Sequence, residues 1–214
     1  MATCRIQWTA TVRYQIREVP RPSRSVILLH GFGQTGSEIL AKLTETLAED
    51  DFALAPDAPF PFPQREAGSL GEGFAWYFFD PVTNRYLNSM DAALEYLAAW
   101  YEQAVPRELP IAIAGYSQGG YLAPFLGLRL PRVERVTGIN CRFRSEALPA
   151  RLPFRLDAVH GSDDKLVDME RARACHGAIM AEGNAGCFQS VAGAGHGLNE
   201  AIRAAVRSSL AVRA

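Results

Sequence analysis

The chain has 214 residues, of which 48% are apolar and 21% charged, and its formal net charge is -1. That length fits one core of ordinary size better than two small ones, which predicts a single α/β domain over residues 1–214 with no separate cap domain. The near-neutral balance provides no global field to attract nucleic acid or anionic lipid, so polyanion binding is disfavoured.

Taken in chain order, apolar and polar residues first alternate from Ile6 through Trp8, Val12, Tyr14 and Ile16. This predicts two short strands within residues 3 to 17 and lacks the continuous apolar block of a secretion signal. Ser25 to Leu29 reads as a fully buried strand, ended by His30-Gly31-Phe32-Gly33. Residues 36 to 48 place Leu40, Leu43 and Leu47 on one helical face, and Phe52 to Ala55 form a short strand stopped by Pro56. A long irregular segment follows, to Leu87. Met90, Leu94, Leu97 and Tyr101 then recur at helical spacing within 88 to 103, ahead of a strand over 109 to 114 and a helix over 118 to 130 that Pro124 is expected to kink.

The second half continues the alternation. Val133 to Ile139, Phe154 to Val159 and Cys187 to Val191 read as strands, with a helix near 168 to 182 and a last one whose buried side carries Leu198, Ile202, Val206 and Leu210. Strands alternating with helices imply right-handed crossovers and a mostly parallel sheet with helices on both faces. Ligands meet such sheets at the carboxyl ends of the strands. No stretch is long enough to span a bilayer as a helix. Cys4, Cys141, Cys175 and Cys187 lack paired spacing, so they read as reduced, buried thiols rather than a zinc site or disulfide framework, which suits a cytoplasmic protein.

Gly115-Tyr116-Ser117-Gln118-Gly119 stands between an apolar strand and a helix. A strand turning sharply into a helix needs small neighbours and leaves its corner hydroxyl exposed, which makes Ser117 the candidate nucleophile. A serine needs a base, and the base needs a third group to orient it. His196 lies in the small-residue loop Gly193-Ala194-Gly195-His196-Gly197, and an acid follows the strand ending at Val159. Asp163 and Asp164 both qualify, and spacing alone does not choose between them. The order Ser, Asp, His fits this architecture. The oxyanion hole is expected from the backbone amides of Gln118 and Phe32, the latter in the turn after the early strand.

At these residues the sequence resembles the phospholipase/carboxylesterase family of small α/β-hydrolases, which includes the acyl-protein thioesterases. The resemblance covers essentially the whole chain. It rests on His30 to Gly33 with Thr35-Gly36, Pro56 to Pro59, Trp76-Tyr77, Gly115 to Gly120, His160-Gly161 with Asp164 to Val167, and His196. It implies an α/β-hydrolase fold, Asp164 as the triad acid, the Phe32 amide as an oxyanion donor, and a pocket that includes Trp76 and Tyr77. The chain departs from the family at the polar, basic Asn140 to Arg144, where relatives carry a small apolar loop, and at Asp168, near which relatives often have proline.

The expected function is therefore a serine hydrolase that cleaves a small-molecule ester or thioester without metal or cofactor. Acyl transfer through the same acyl-enzyme and non-catalytic ligand binding are the alternatives, and oligomeric state is left open. His30 and His160 are expected to make structural hydrogen bonds, and His176 to be exposed on its helix. The aromatic-rich segment from Pro56 to Leu87 either lines the site or seals the sheet edge. Arg142 and Arg144 are expected in a solvated loop rather than at an acid-binding site.

Overall fold

The computed structural model describes residues 11–66, 68–80, 82–83 and 85–211. The described strands and helices are β1 (Tyr14–Arg17), β2 (Arg24–Leu29), α1 (Gly36–Leu43), β3 (Asp51–Pro56), β4 (Phe60–Glu66), β5 (Ser69–Ala75), β6 (Phe79–Asp80), β7 (Arg85–Tyr86), α2 (Met90–Ala104), β8 (Ile111–Tyr116), α3 (Gln118–Gly127), β9 (Val133–Ile139), β10 (Arg155–Gly161), α4 (Met169–Ala181), β11 (Phe188–Val191) and α5 (Glu200–Ala211).

Seven of these strands form one sheet in the order β1-β3-β2-β8-β9-β10-β11. β1 runs antiparallel to β3, and the other neighbouring pairs run parallel. Successive residues of a strand point to opposite faces, and the two cores follow that period. Val26 and Leu28 of β2 pack with Ile39 and Leu43 of α1 and with Ile202, Val206 and Leu210 of α5. Ile27 and Leu29 face the other way, into a core with Leu94 and Leu97 of α2, Leu122 and Leu126 of α3, and Ile179 of α4. Burial on both faces explains why β2 and β8 read as continuous apolar runs.

The amino ends of the central strands carry buried charge. Arg24 grips Asp51 through two bonds of 3.0 and 2.8 Å and donates to the Leu210 carbonyl at 2.9 Å, tying α5 to the sheet. Arg135 pairs with Asp157 in the same layer. Truncating one partner of such a pair leaves an uncompensated buried charge, which typically costs about 3–5 kcal/mol.

The structure corrects several sequence expectations. Of the two strands expected within 3 to 17, the described part contains β1, and residues 3–10 lie outside the described residues. The helix from 36 ends at Leu43 and tightens into a 3-10 turn over Thr44–Thr46, burying Ile39 and Leu43 more deeply than Leu40 or Leu47. α3 stops at Gly127, with Pro124 inside it. The segment from 56 to 87, expected to be irregular, contains two hairpins, β4/β5 and β6/β7. Pro61 and Pro63 sit in β4, where a two-stranded ribbon leaves an edge free of ladder bonds.

His176 is buried instead of exposed, with Nε2 3.0 Å from the Leu156 carbonyl, because α4 turns that face onto β10. The thiols are not uniformly buried: Cys141 is, Cys175 is half-buried and Cys187 is exposed, while Cys4 lies outside the described residues. Among the described residues no helix is long and apolar enough to cross a membrane.

Candidate active site

The site is assembled at the carboxyl ends of β2, β8, β9 and β10. Ser117 follows β8 directly and has φ 49° and ψ -115°, a left-handed conformation that a non-glycine residue adopts only under constraint. The constraint comes from its neighbours. A side chain at Gly115 would strike the Gly119 backbone, and one at Gly119 would strike the carbonyls of Leu29 and His30. Two glycines thus let the turn at Ser117 close tightly against the end of β2, with Ser117 N–H held by the Ile139 carbonyl at 2.8 Å.

His196 bridges the candidate residues. Its Nε2 lies 3.0 Å from Ser117 Oγ and its Nδ1 2.8 Å from Asp164 Oδ2. The choice between the two acids is visible here, since Asp164 is buried and aimed at His196 whereas Asp163 is exposed and accepts from Ser162. The other Asp164 oxygen accepts the backbone N–H groups of Leu166 and Val167 at 2.8 and 3.0 Å. Burial pushes this carboxyl's pKa up, but the bonds from Val167, His196 and Leu166 outweigh it and hold the group below the ordinary carboxylate value. His160 Nε2 stands 3.4 Å from Asp164 Oδ2 and 3.1 Å from the Val167 carbonyl, so it braces the same turn.

The carbonyl of His196 is fixed from two sides, by Tyr116 Oη at 3.0 Å and Asn140 Nδ2 at 2.5 Å. Asn140 is buried, has φ 47°, and accepts the Gly161 N–H through its amide oxygen at 2.9 Å. It therefore links the ends of β9 and β10 to the histidine loop. Its sequence signal was weak: a polar residue at a strand end, noticed only as a departure from the family's apolar loop.

Two turns carry the amides expected to form the oxyanion hole. Gln118 N–H starts α3, and Phe32 N–H lies in the turn after β2; among the described residues neither donates to a backbone carbonyl. The Phe32 turn is strapped from outside, by Gly33 N–H to the Phe74 carbonyl at 2.9 Å and by Gln64 Nε2 to the Gly33 carbonyl at 2.8 Å. Its base is held by His30, whose Nδ1 donates to the Gly31 carbonyl at 2.7 Å and whose Nε2 accepts Ala58 N–H at 3.0 Å. Burial lowers the His30 pKa despite the Gly31 bond, which matches a neutral ring with one donor and one acceptor nitrogen.

Trp76 and Tyr77 are linked to the turn at Ser117 through the Gln118 side chain, which accepts Trp76 N–H at 2.9 Å and donates to the Tyr77 carbonyl at 2.7 Å. Trp76 has no exposed surface, and its Nε1 donates to the His30 carbonyl at 2.9 Å. Within the expected pocket, the Trp76 indole thus braces the carbonyl of His30 at the base of the Phe32 turn. Tyr77 is nearly enclosed and packs its ring 5.6 Å from that of Tyr86. Outside it, Phe32 stacks on Phe62 at 4.8 Å with Phe78 edge-on to both, so part of the aromatic segment forms the rim of the site. The departure at Asp168 also has a local reason, because its carboxylate caps α4 by accepting Arg171 N–H at 2.7 Å.

Arg142 and Arg144 lie in a loop that is only partly solvated. Their side chains are 23% and 29% exposed, on either side of the buried Phe143 that anchors the loop.

A family model described as phospholipase/carboxylesterase matches residues 16–213. No curated protein is a significant match. Among solved structures, Zea mays acyl-protein thioesterase 2 superposes with a TM-score of 0.71 at 19% identity, over 92% of this chain and 96% of that one. Esterase PE8 gives 0.70 at 19% identity over 93% and 97%, and Arabidopsis thaliana SOBER1 gives 0.68 at 20% identity over 87% and 97%. At such identities the structures attest to the α/β-hydrolase-like fold, while the family match runs through nearly the whole sequence. The chain thus belongs to the phospholipase/carboxylesterase family and is a carboxylesterase/thioesterase-type hydrolase.

Proposed function

We propose that this hydrolase cleaves carboxylic esters, with thioesters as the related class, through an acyl-enzyme on Ser117. The observation that carries this reading is the unbroken chain from Asp164 Oδ2 to His196 at 2.8 Å and from His196 to Ser117 Oγ at 3.0 Å. Each role follows from charge. His196 Nε2 takes the hydroxyl proton as Oγ bonds to the carbonyl carbon, and the carbonyl electrons move onto oxygen. Ionised Asp164 keeps the Nδ1 proton in place and stabilises the imidazolium. The amides of Phe32 and Gln118 receive the oxyanion, each donor being worth about 3 kcal/mol. Collapse expels the alkoxide or thiolate, which takes the proton from His196; water then repeats the sequence and releases the acid.

The reading includes a single domain acting without metal or cofactor on a small-molecule substrate. The three described cysteines are unpaired, which supports the cytoplasm as its compartment. The test is labelling by a fluorophosphonate, which bonds only to an activated serine. The parent chain should label at Ser117, and S117A should neither label nor turn over an ester while keeping its circular dichroism spectrum. Labelling of S117A would move the nucleophile elsewhere.

A further inference from the structure

Farther along α3 from Ser117 lies a positive charge that the hydrolytic steps leave unused. A cavity of about 340 Å³ opens between the start of α2, the outer turns of α3 and the loop after β9. Met90, Leu94 and Phe125 supply apolar walls, while Tyr86 and Arg144 supply a polar one. Its walls grow from elements that touch the nucleophile. α3 begins at Ser117 and reaches Phe125 after eight residues, about 12 Å along the axis. The loop continues from β9, whose Ile139 carbonyl holds Ser117 N–H, and Tyr86 packs on Tyr77, whose carbonyl holds the Gln118 side chain.

The charges around this cavity do not cancel. Arg142 and Arg144 both pair with one carboxylate, Glu146, at 3.9 and 3.2 Å. Asp91, the acid on the cavity wall, is balanced by Arg129 at 2.9 Å. Three guanidiniums thus stand against two carboxylates. Arg144 places Cζ over the Tyr86 ring, 5.3 Å from its centroid, donates through Nε to Glu146 and rests Nη1 3.9 Å from Met90 Sδ. Its Nη2 has no acceptor among the described residues. Contacts to Tyr86, Glu146 and Met90 hold the guanidinium, and a held group with a free Nη2 suits a carboxylate taken through charge-assisted N–H bonds. The Arg142 guanidinium acts electrostatically on the Tyr121 phenol, one turn past Ser117 on α3, so positive charge borders the path from Ser117 to the cavity.

We infer that this cavity is a carboxylate subsite: the ester cleaved at Ser117 carries a second, ionised acid group that Arg144 binds, with apolar walls holding the methylenes between. The inference rests on Ser117 being the nucleophile. The span along α3 requires an extended dicarboxylic chain rather than the shortest ones.

The experiment uses the full chain and p-nitrophenyl half-esters of straight dicarboxylic acids of graded length, each beside its neutral methyl-capped counterpart. The quantity read is the ratio of kcat/KM for the acid to that for the neutral ester. Both substrates meet the same preparation, so any loss of folded protein cancels. The ratio should exceed one, rise with chain length and then level, and fall by about tenfold or more in R144Q, with R144K keeping part of the preference. A ratio at or below one at every length overturns the inference. So does a preference that survives R144Q, which would leave Arg144 a prop for Tyr86. Neutral esters turned over without preference would sink the subsite alone, whereas no turnover of either series would also sink the proposed reaction.

Discussion

Asp163 and Asp164 are chemically identical neighbours with opposite environments, and at the scale of single residues that contrast is the sharpest test of the triad. β10 ends at Gly161, and the following turn points one carboxylate outward to Ser162 and the other inward to His196 and two backbone amides. D164N would present an amide where His196 Nδ1–H requires an acceptor, favouring the wrong tautomer. Turnover should fall by on the order of a thousandfold or more, with D163N staying close to the parent rate. Steady-state kinetics on one neutral ester decides it, and the reverse ranking would reassign the acid. Ser117 and His196 were legible in the sequence because glycines leave a signature at tight turns. Choosing between the acids needed the resemblance, and the part played by Asn140 was hidden, since its value lies in bonding three segments far apart in the chain.

At the scale of elements, the alternation of strand and helix was readable because a doubly covered sheet demands continuous apolar strands and one-sided helices. The two hairpins escaped notice. β4 and β5 lie partly in solvent and interrupt their period with Pro61, Pro63, Gly71 and Gly73, so beyond Phe60 and Phe62 no hydrophobic face recurs at two-residue spacing. Yet β4/β5 straps the Phe32 turn through Gln64 and Phe74. Q64A removes one strap without touching substrate or the triad. A turn held less firmly places its amide less well for the transition state, so kcat should drop several-fold with KM little changed, because preorganised donors act chiefly on the transition state. Unchanged kcat would show that the Gly33 bond to Phe74 suffices.

At the scale of the whole molecule, acid should unfold the protein in two stages. His30 and His176 have their pKa lowered by burial, against the opposing pull of their bonds to the Gly31 and Leu156 carbonyls. Below about pH 6.5 the unfolded chain binds protons on these rings that the folded chain resists, so stability falls with pH from that point. Asp164, whose pKa is depressed, contributes stability above the ordinary carboxylate value of about 3.9 and loses it as pH falls through its lower folded value. The urea midpoint should thus already decline between about pH 7 and pH 5, and H176Q should flatten that decline. A midpoint constant over the range would contradict the neutral, buried histidines. The residue order alone determined the layered α/β plan, the nucleophile turn and the histidine loop, because local sterics and hydrophobic period are written in consecutive residues. Only the tertiary structure decided which aspartate faces inward, that His176 is covered, and that Arg144 lines a cavity with residues of α2 and α3, because each depends on segments brought together by the closing of the sheet and its helices.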